Sequence, residues 1–248
     1  MSILQKIVAN TKANLVLKKA EFPLEKIQGS LENLKLPRGK FKDHISSKDE
    51  AIIAEIKKAS PSAGVIKENF DPTKIAMEYE SFGASALSIL TEEDFFMGSI
   101  DYLKDVKKIT SLPILRKDFM IDEYQIYESK LIGADCILLI VSILTDQEIE
   151  NFINIAKKLE LDYLIEVHDE NELKRVEHFE NALIGVNNRN LETFEVDLNN
   201  SVRLRNTFKQ KNIFIAESGI KSREDMNYLK MNNIKVFLIG ESLMRGSF

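Results

Sequence analysis

The chain has 248 residues, 44% hydrophobic and 29% charged with five prolines, a composition that buries a large core and excludes disordered or collagen-like structure. Its net charge of −5 comes from interleaved acids and bases, so no sequence-wide basic footprint exists for nucleic acid or an anionic membrane. The single cysteine, Cys136, allows no intramolecular disulfide, the opening Met1-Ser2-Ile3-Leu4 lacks the marks of a secretory leader, and the longest apolar run, Cys136 to Val141 with its neighbours, is far short of the roughly 20 residues that cross a bilayer. A reducing cytoplasm is the expected setting.

Residues 1 to 45 form an extension. Ile3, Leu4, Ile7 and Val8 fall on one side of a helical pattern, followed by Leu15 and Val16. Such a helix either plugs the bottom of the domain that follows or lies over its mouth, and the pattern leaves both open.

From residue 51 a short apolar, β-branched run, a polar loop and an amphipathic helix pattern recur eight times. The strands are expected at Ala51 to Ile56, Ala86 to Leu90, Pro113 to Arg116, Cys136 to Val141, Tyr163 to Val167, Leu183 to Val186, Ile213 to Ala216 and Val236 to Ile239. Several are apolar throughout, as parallel strands covered on both faces are. Helix starts carry caps at Asp71-Pro72, Ser99, Asp122, Thr145 with Glu148, Asp169 and Ser222. Gly83 and Gly133 hold equivalent places before the following strand and read as left-handed C-terminal caps. An open doubly wound sheet uses the same alternation, but eight regular units favour closure, and no Gly-x-Gly-x-x-Gly follows any strand. The prediction is a single-domain (β/α)8 TIM barrel with an N-terminal helical extension, of the roughly 250 residues usual for that fold.

In this fold, side chains at the C-terminal strand ends point into the mouth where ligands bind. The first strand ends Glu55-Ile56-Lys57, and alternation puts Glu55 and Lys57 on one face. The third ends Leu115-Arg116-Lys117-Asp118, the fifth holds Glu166, the sixth ends Asn187-Asn188-Arg189, and the seventh Glu217-Ser218-Gly219. Solvated surface charges would not cluster at this point in unit after unit. The loops after strands seven and eight, Ser218-Gly219-Ile220 and Gly240-Glu241-Ser242, carry the glycines and helix starts of an anion site, with Lys57 to add charge. Beside a dianion, the Glu241 carboxylate should point away while its amide donates. Phe95, Phe96 and Phe119 follow strands two and three and suit the walls of an aromatic pocket. Cys136 reads as a buried structural thiol; His168 follows strand five, where it either approaches the mouth or, the reading preferred here, is a surface or capping residue; the three histidines lack convergent spacing, so no metal is implied.

These strings resemble the indole-3-glycerol-phosphate synthase family over almost the whole chain. The resemblance is carried by Ala54-Glu55-Ile56-Lys57-Lys58-Ala59-Ser60-Pro61-Ser62 with Gly64, by Ile89-Leu90-Thr91-Glu92 with Phe96 and Gly98, and by Pro113-Ile114-Leu115-Arg116-Lys117-Asp118-Phe119. It continues in Gly185-Val186-Asn187-Asn188-Arg189-Asn190-Leu191, Ala216-Glu217-Ser218-Gly219-Ile220 and Leu238-Ile239-Gly240-Glu241-Ser242-Leu243-Met244-Arg245, and the opening Ile3 to Ala9 is similar to the family's extension. It implies a lyase of tryptophan biosynthesis that converts 1-(2-carboxyphenylamino)-1-deoxyribulose 5-phosphate into indole-3-glycerol phosphate, carbon dioxide and water, with no organic cofactor. Weak association with other enzymes of that pathway is also implied. By the same resemblance Lys117 is the general acid of ring closure and Glu166 the acid/base of dehydration. Glu55 and Asn187 orient the reacting centre, and Lys57 contacts the anionic substrate. Ser60, Arg189, Glu217, Ser218, Gly219, Gly240 and Glu241 bind substrate or its phosphate, with Phe96, Phe119 and Leu191 around the anthranilate ring. Such a lysine is helped by a lowered pKa and such a glutamate by a raised one.

Two departures stand out. Ala63 replaces a lysine of the family's Ser-Pro-Ser-Lys-Gly form, so the first loop's motion or substrate steering should differ. The chain also stops at Phe248, where members of the family continue into a final helix, so the last helical unit is expected to be incomplete. Two alternatives carry less. Phosphoribosylanthranilate isomerase, a neighbouring phosphate-binding barrel, would call for a cysteine at the end of strand one, where Glu55 and Lys57 stand. An inactive barrel kept as a phosphate-ligand binder is opposed by the intact Lys117, Glu166 and Asn187.

Overall fold

In a computed structural model, which describes residues 1–32, 34, 37–191 and 193–248, eight parallel strands close into a barrel in chain order. They are β1 (Ala51–Ile56), β2 (Ala86–Leu90), β3 (Ile114–Lys117), β4 (Cys136–Ile140), β5 (Asp162–Val167), β6 (Leu183–Asn187), β7 (Ile213–Glu217) and β8 (Val236–Ile239). Each pairs with its chain neighbours, and β8 closes onto β1 with Ala51 opposite Val236 and Ala54 opposite Ile239. The expected runs were displaced by at most a residue. At β3 the shift brings Lys117 into the ladder opposite Leu90, and past Ile140 a turn of 3-10 helix, Val141–Ile143, replaces the last expected strand residue.

Strand alternation sorts the apolar residues into two layers. Ile53, Leu115, Cys136, Leu138, Leu164, Ile215 and Leu238 fill the barrel interior, while Ile52, Ala54, Ile89, Ile137, Ile165, Ile184 and Phe237 face the helices. Burial of Cys136 pushes its thiol well above the usual range.

The helices between strands are α4 (Pro72–Phe82), α5 (Ile100–Ile109), α6 (Glu123–Leu131), α7 (Asp146–Lys158), α8 (Glu170–Val176), α9 (Asn199–Thr207), α10 (Arg223–Met231) and the four-residue α11 (Glu241–Met244). Asp71, Ser99, Asp122, Thr145, Asp169 and Ser222 all cap their helices, with a full capping box at Thr145 and Glu148. Gly83 and Gly133 adopt φ of 94° and 92°, the left-handed conformation that a side chain would strain.

The extension does both of the things its pattern left open. Its first helix, α1 (Ile3–Glu21), lies at the mouth, held by Asn10 and Asn14 on Asp94 and by Lys18 on Glu93 at 2.9 Å. A second, α2 (Leu24–Glu32), packs against α6 through Ile27 and Tyr124. The third, α3 (Phe41–Ser46), closes the bottom with Phe41 and Ile45 inside the barrel's inner cluster. Of the expected apolar side of α1, Ile7 and Leu15 are buried, but Val16 is exposed, since the turn that packs Leu15 against Ile27 and Tyr124 leaves its neighbour outward.

Candidate active site

A cavity of about 690 Å³ opens at the C-terminal ends of the strands, within the range of small-ligand sites. Every site residue implied by the family resemblance lines it: Glu55, Lys57, Ser60, Phe96, Lys117, Phe119, Glu166, Asn187, Arg189, Leu191, Glu217, Ser218, Gly219, Gly240 and Glu241.

Its floor is an ionic network. Lys117, at the end of β3, donates to Glu166 Oε2 at 2.7 Å and to Glu217 Oε2 at 3.2 Å, joining three strands through one ammonium. Lys57 donates to Glu55, its partner on the same face of β1. Asn187 donates to Glu166 Oε1 at 3.2 Å, and its own carbonyl oxygen accepts from Ser218 Oγ at 2.9 Å and the Arg189 amide at 3.0 Å. Two glycines make the room. A Cβ on Gly185 would lie 2.1 Å from Glu217 Oε1, and one on Gly240 would lie 2.2 Å from Glu55 Oε1 and 3.2 Å from the Lys57 ammonium.

Three carboxylates, Glu55, Glu166 and Glu217, thus share a largely buried space with two ammonium groups, Lys57 and Lys117. One acid is in excess. It is Glu217, pushed up to about 7 by burial that outweighs the attraction of Lys117, with Glu166 and Glu55 adding repulsion. Its Oε1 is buried without a hydrogen-bond partner. Glu166 is also buried, yet Lys117, His168 and Asn187 bring it down to about 2. Burial works against the Lys117 ammonium, but Glu166, Glu217 and Glu55 hold its pKa above the usual lysine range. A lowered Lys117 and a raised Glu166 would help acid/base chemistry. In the structure both run the other way, because the two are each other's counterion, and the poised carboxyl is Glu217.

The walls divide by chemistry. On one side the Phe96 and Phe119 rings stand 5.9 Å apart, with Ile3, Leu4 and Ile7 of α1 also lining the space. Glu92 sets Phe96 in place by accepting the amides of Phe95 and Phe96 at 2.8 and 2.9 Å. Phe95, the other aromatic residue of this turn, does not line the cavity. On the other side lie the two glycine loops, tied together by Ser242 Oγ donating to the Ile220 carbonyl at 2.6 Å. Ser218 and Gly219 both have positive φ, 65° and 83°. The Glu241 carboxylate is drawn to two cations, Arg245 at 3.1 Å and Arg189 at 3.7 Å.

Arg116, counted among the strand-end charges aimed at the mouth, instead faces the helix layer. It is 1% exposed there and pairs with Glu128 at 2.8 Å and Asp118 at 3.1 Å, since alternation gives the interior to Leu115 and Lys117. Sequence reasoning missed Arg245, whose signal was a basic residue one turn beyond Glu241. Of the two readings of His168 the approach to the mouth holds and the preferred surface reading does not: the ring is mostly buried, 3.4 Å from Glu166.

Among known proteins, a model of the family described as "Indole-3-glycerol phosphate synthase" matches residues 4–247. A relative of that name from Ruminiclostridium cellulolyticum is 48% identical over 245 residues, covering 98% of this chain and 94% of its own. Another, from Acetivibrio thermocellus, is 47% identical with the same two coverages. Among solved structures, the N-acetylmannosamine-6-phosphate 2-epimerase from Clostridium perfringens superposes with a TM-score of 0.64 over 82% of this chain and 92% of its own. At 13% identity it shares the fold alone.

Proposed function

This chain belongs to the indole-3-glycerol phosphate synthase family of decarboxylating lyases, and from that membership we propose a division of labour among its mouth residues. The reaction closes the pyrrole ring of 1-(2-carboxyphenylamino)-1-deoxyribulose 5-phosphate, then loses carbon dioxide and water. The aromatic carbon bearing the carboxylate attacks the ribulose carbonyl. Lys117 protonates the carbonyl oxygen as it becomes a hydroxyl, and departure of carbon dioxide restores the benzene ring. Glu166, freed from Lys117, serves as the acid/base group when that hydroxyl leaves as water. Glu55 and Asn187 orient and polarise the reacting centre, and Lys57 offsets substrate charge.

The observation that carries this reading is the Lys117 ammonium within 3.2 Å of both Glu166 and Glu217, on the floor of a cavity with aromatic and glycine-loop walls. An ammonium raised by its partners is a reservoir of one proton, and it becomes a better donor once a substrate dipole separates it from them. The anthranilate ring lies against Phe96, Phe119 and Leu191, and Ser60, Arg189 and Glu217 complete the contacts to substrate. The phosphate takes amides of Ser218, Gly219, Gly240 and Glu241. The pairing of Glu241 with Arg189 and Arg245 supports this placement, since it offsets a carboxylate that would repel a dianion.

We extend the reading to one catalytic domain whose extension borders the mouth, working in the cytosol in weak association with other enzymes of its pathway. A buried lone thiol is in keeping with that setting, and among the described residues no helix is long and apolar enough to cross a membrane. The test is to supply the carboxyphenylamino sugar phosphate and follow indole fluorescence. Turnover is expected without added cofactor, and its absence in folded protein would overturn the reading.

A further inference from the structure

The mechanism above leaves one buried ionisable side chain beside the reacting groups unused. His168 stands one residue beyond β5, just before the Asp169 cap of α8. Its backbone is pinned on both sides: the N–H donates to Glu172 Oε2 at 2.8 Å, and the carbonyl accepts from Asn200 Nδ2 at 2.9 Å. The ring is therefore held between two carboxylates. Nδ1 lies 3.1 Å from Glu172 Oε2, while Nε2 lies 3.4 Å from Glu166 Oε1, buried and without a hydrogen-bond partner.

This geometry limits where protons can sit. For Glu172 to accept from Nδ1, Nδ1 must carry a hydrogen. Nε2 then meets Glu166 either as a bare lone pair against a carboxylate oxygen, two acceptors facing each other out of water, or with one proton between them. The first arrangement forfeits a buried hydrogen bond and the second does not. We propose that His168, oriented by Glu172, is a positioning residue that shares one proton with Glu166 and holds that carboxylate ready for its acid/base step. The inference rests on the reading of Glu166 given above. Its two forms are Nε2–H facing an ionised Oε1 and bare Nε2 facing Oε1–H; the proton moves between them and the pair's net charge does not change.

The charged groups facing the ring are Glu166 on β5, Glu172 on α8 and Glu217 on β7, with Lys117 of β3 beyond Glu166. Burial pulls the imidazole down, but the Glu172 hydrogen bond and the Glu166 charge outweigh it and hold the pKa above the usual histidine range. The imidazolium thus persists to higher pH than for a free histidine, and Glu166 loses this partner as the pH rises further.

The chain has only three histidines, so histidine labelled with ¹⁵N gives three ring systems, and the one missing in His168→Gln is assigned at once. In the full-length protein that ring should show the Nδ1–H tautomer when neutral, and its titration midpoint should fall in both Glu166→Gln and Glu172→Gln. An unchanged midpoint in Glu166→Gln overturns the pairing. In turnover, His168→Phe should lower kcat about tenfold with little change in KM, less than the ~10² expected for losing an acid/base group itself. His168→Gln keeps a donor but cannot titrate; it should restore most of that loss while flattening the alkaline limb of the kcat profile. Equal losses in both variants with an unaltered profile would mark His168 as merely structural and overturn the proposal, as would native turnover in His168→Phe. Normal turnover in Glu166→Gln, with the His168 midpoint still shifted, would instead overturn the reading of Glu166 and leave the pairing standing.

Discussion

The two ends of this barrel are built from the same strands and solve opposite problems. At the bottom, Phe41 and Ile45 of α3 sit on Ala51, Cys136, Leu183 and Val236, and the interior is closed by apolar contact. At the top, the same inward positions two or four residues along carry Glu55, Lys117, Glu166, Asn187 and Glu217, and the last four are tied to one another across strands while Glu55 pairs with Lys57 on its own. Apolar packing is non-directional and tolerates drift, so it suits the end that only has to hold. Ion pairs in a dry site are directional and costly when broken, so they fix side chains at the end that has to react.

The sharpest way to break this contrast is at the top. Lys117→Met keeps the stem and removes the proton, and Glu166→Gln keeps the shape and removes the base; each should lower kcat by about 10²-fold or more. Near-native turnover in both, followed by indole fluorescence, would defeat the assignment. The matching cut at the bottom is Phe41→Ala. It should lower unfolding stability by about 3–5 kcal/mol in a urea titration, yet leave kcat of the folded fraction close to native. If turnover fell as far as in Lys117→Met, the two ends would not be separable. A smaller effect is expected at the glycine loops. Ser218 has φ of 65°, a conformation aspartate tolerates, so Ser218→Asp should fold and set a charge against the phosphate. A rise in KM of about tenfold corresponds to ~1.4 kcal/mol of repulsion. Unchanged KM would contradict the phosphate's placement, and Ser218→Gly separates loss of the hydroxyl from gain of the charge.

The bottom and the walls were legible for different reasons than the floor. Strand periodicity and caps are local, so β1, β2 and β8 were placed to the residue and Asp71, Ser99 and Thr145 were found at their helices. The family strings named the cavity residues, and alternation alone put Glu55 and Lys57 on one face. What sequence did not yield depends on distances across the barrel. The pKa values of Lys117 and Glu166 were not legible, because they are set by three strands that bring the two together with Glu217. Arg116 was misdirected because a charge at a strand end was counted without its parity. For His168 the surface reading was preferred to the approach to the mouth because nothing local announces that Glu172, one helical turn on, and Asn200, from α9, pin its backbone.

The finest test of the contrast concerns the one acid in excess. Burial first, and then Glu166 and Glu55, push the Glu217 carboxyl up to about 7 despite Lys117, so at pH 6 it is mostly protonated and at pH 8 mostly ionised. Glu217→Gln mimics the protonated form. The ratio of kcat/KM between this variant and the native enzyme should therefore lie nearest to one at pH 6 and depart from it steadily up to pH 8. Stability gives an independent check with a definite sign. A carboxyl raised above its unfolded value favours the native state while protonated, and that contribution is lost as pH rises through about 7. The glutamine variant has no such loss, so its melting temperature should gain on the native enzyme's between pH 6 and 8. A kcat/KM ratio and a melting difference both flat over that range would mean that Glu217 keeps one charge state throughout, and the floor would then hold no group poised between two states, any more than the apolar bottom does.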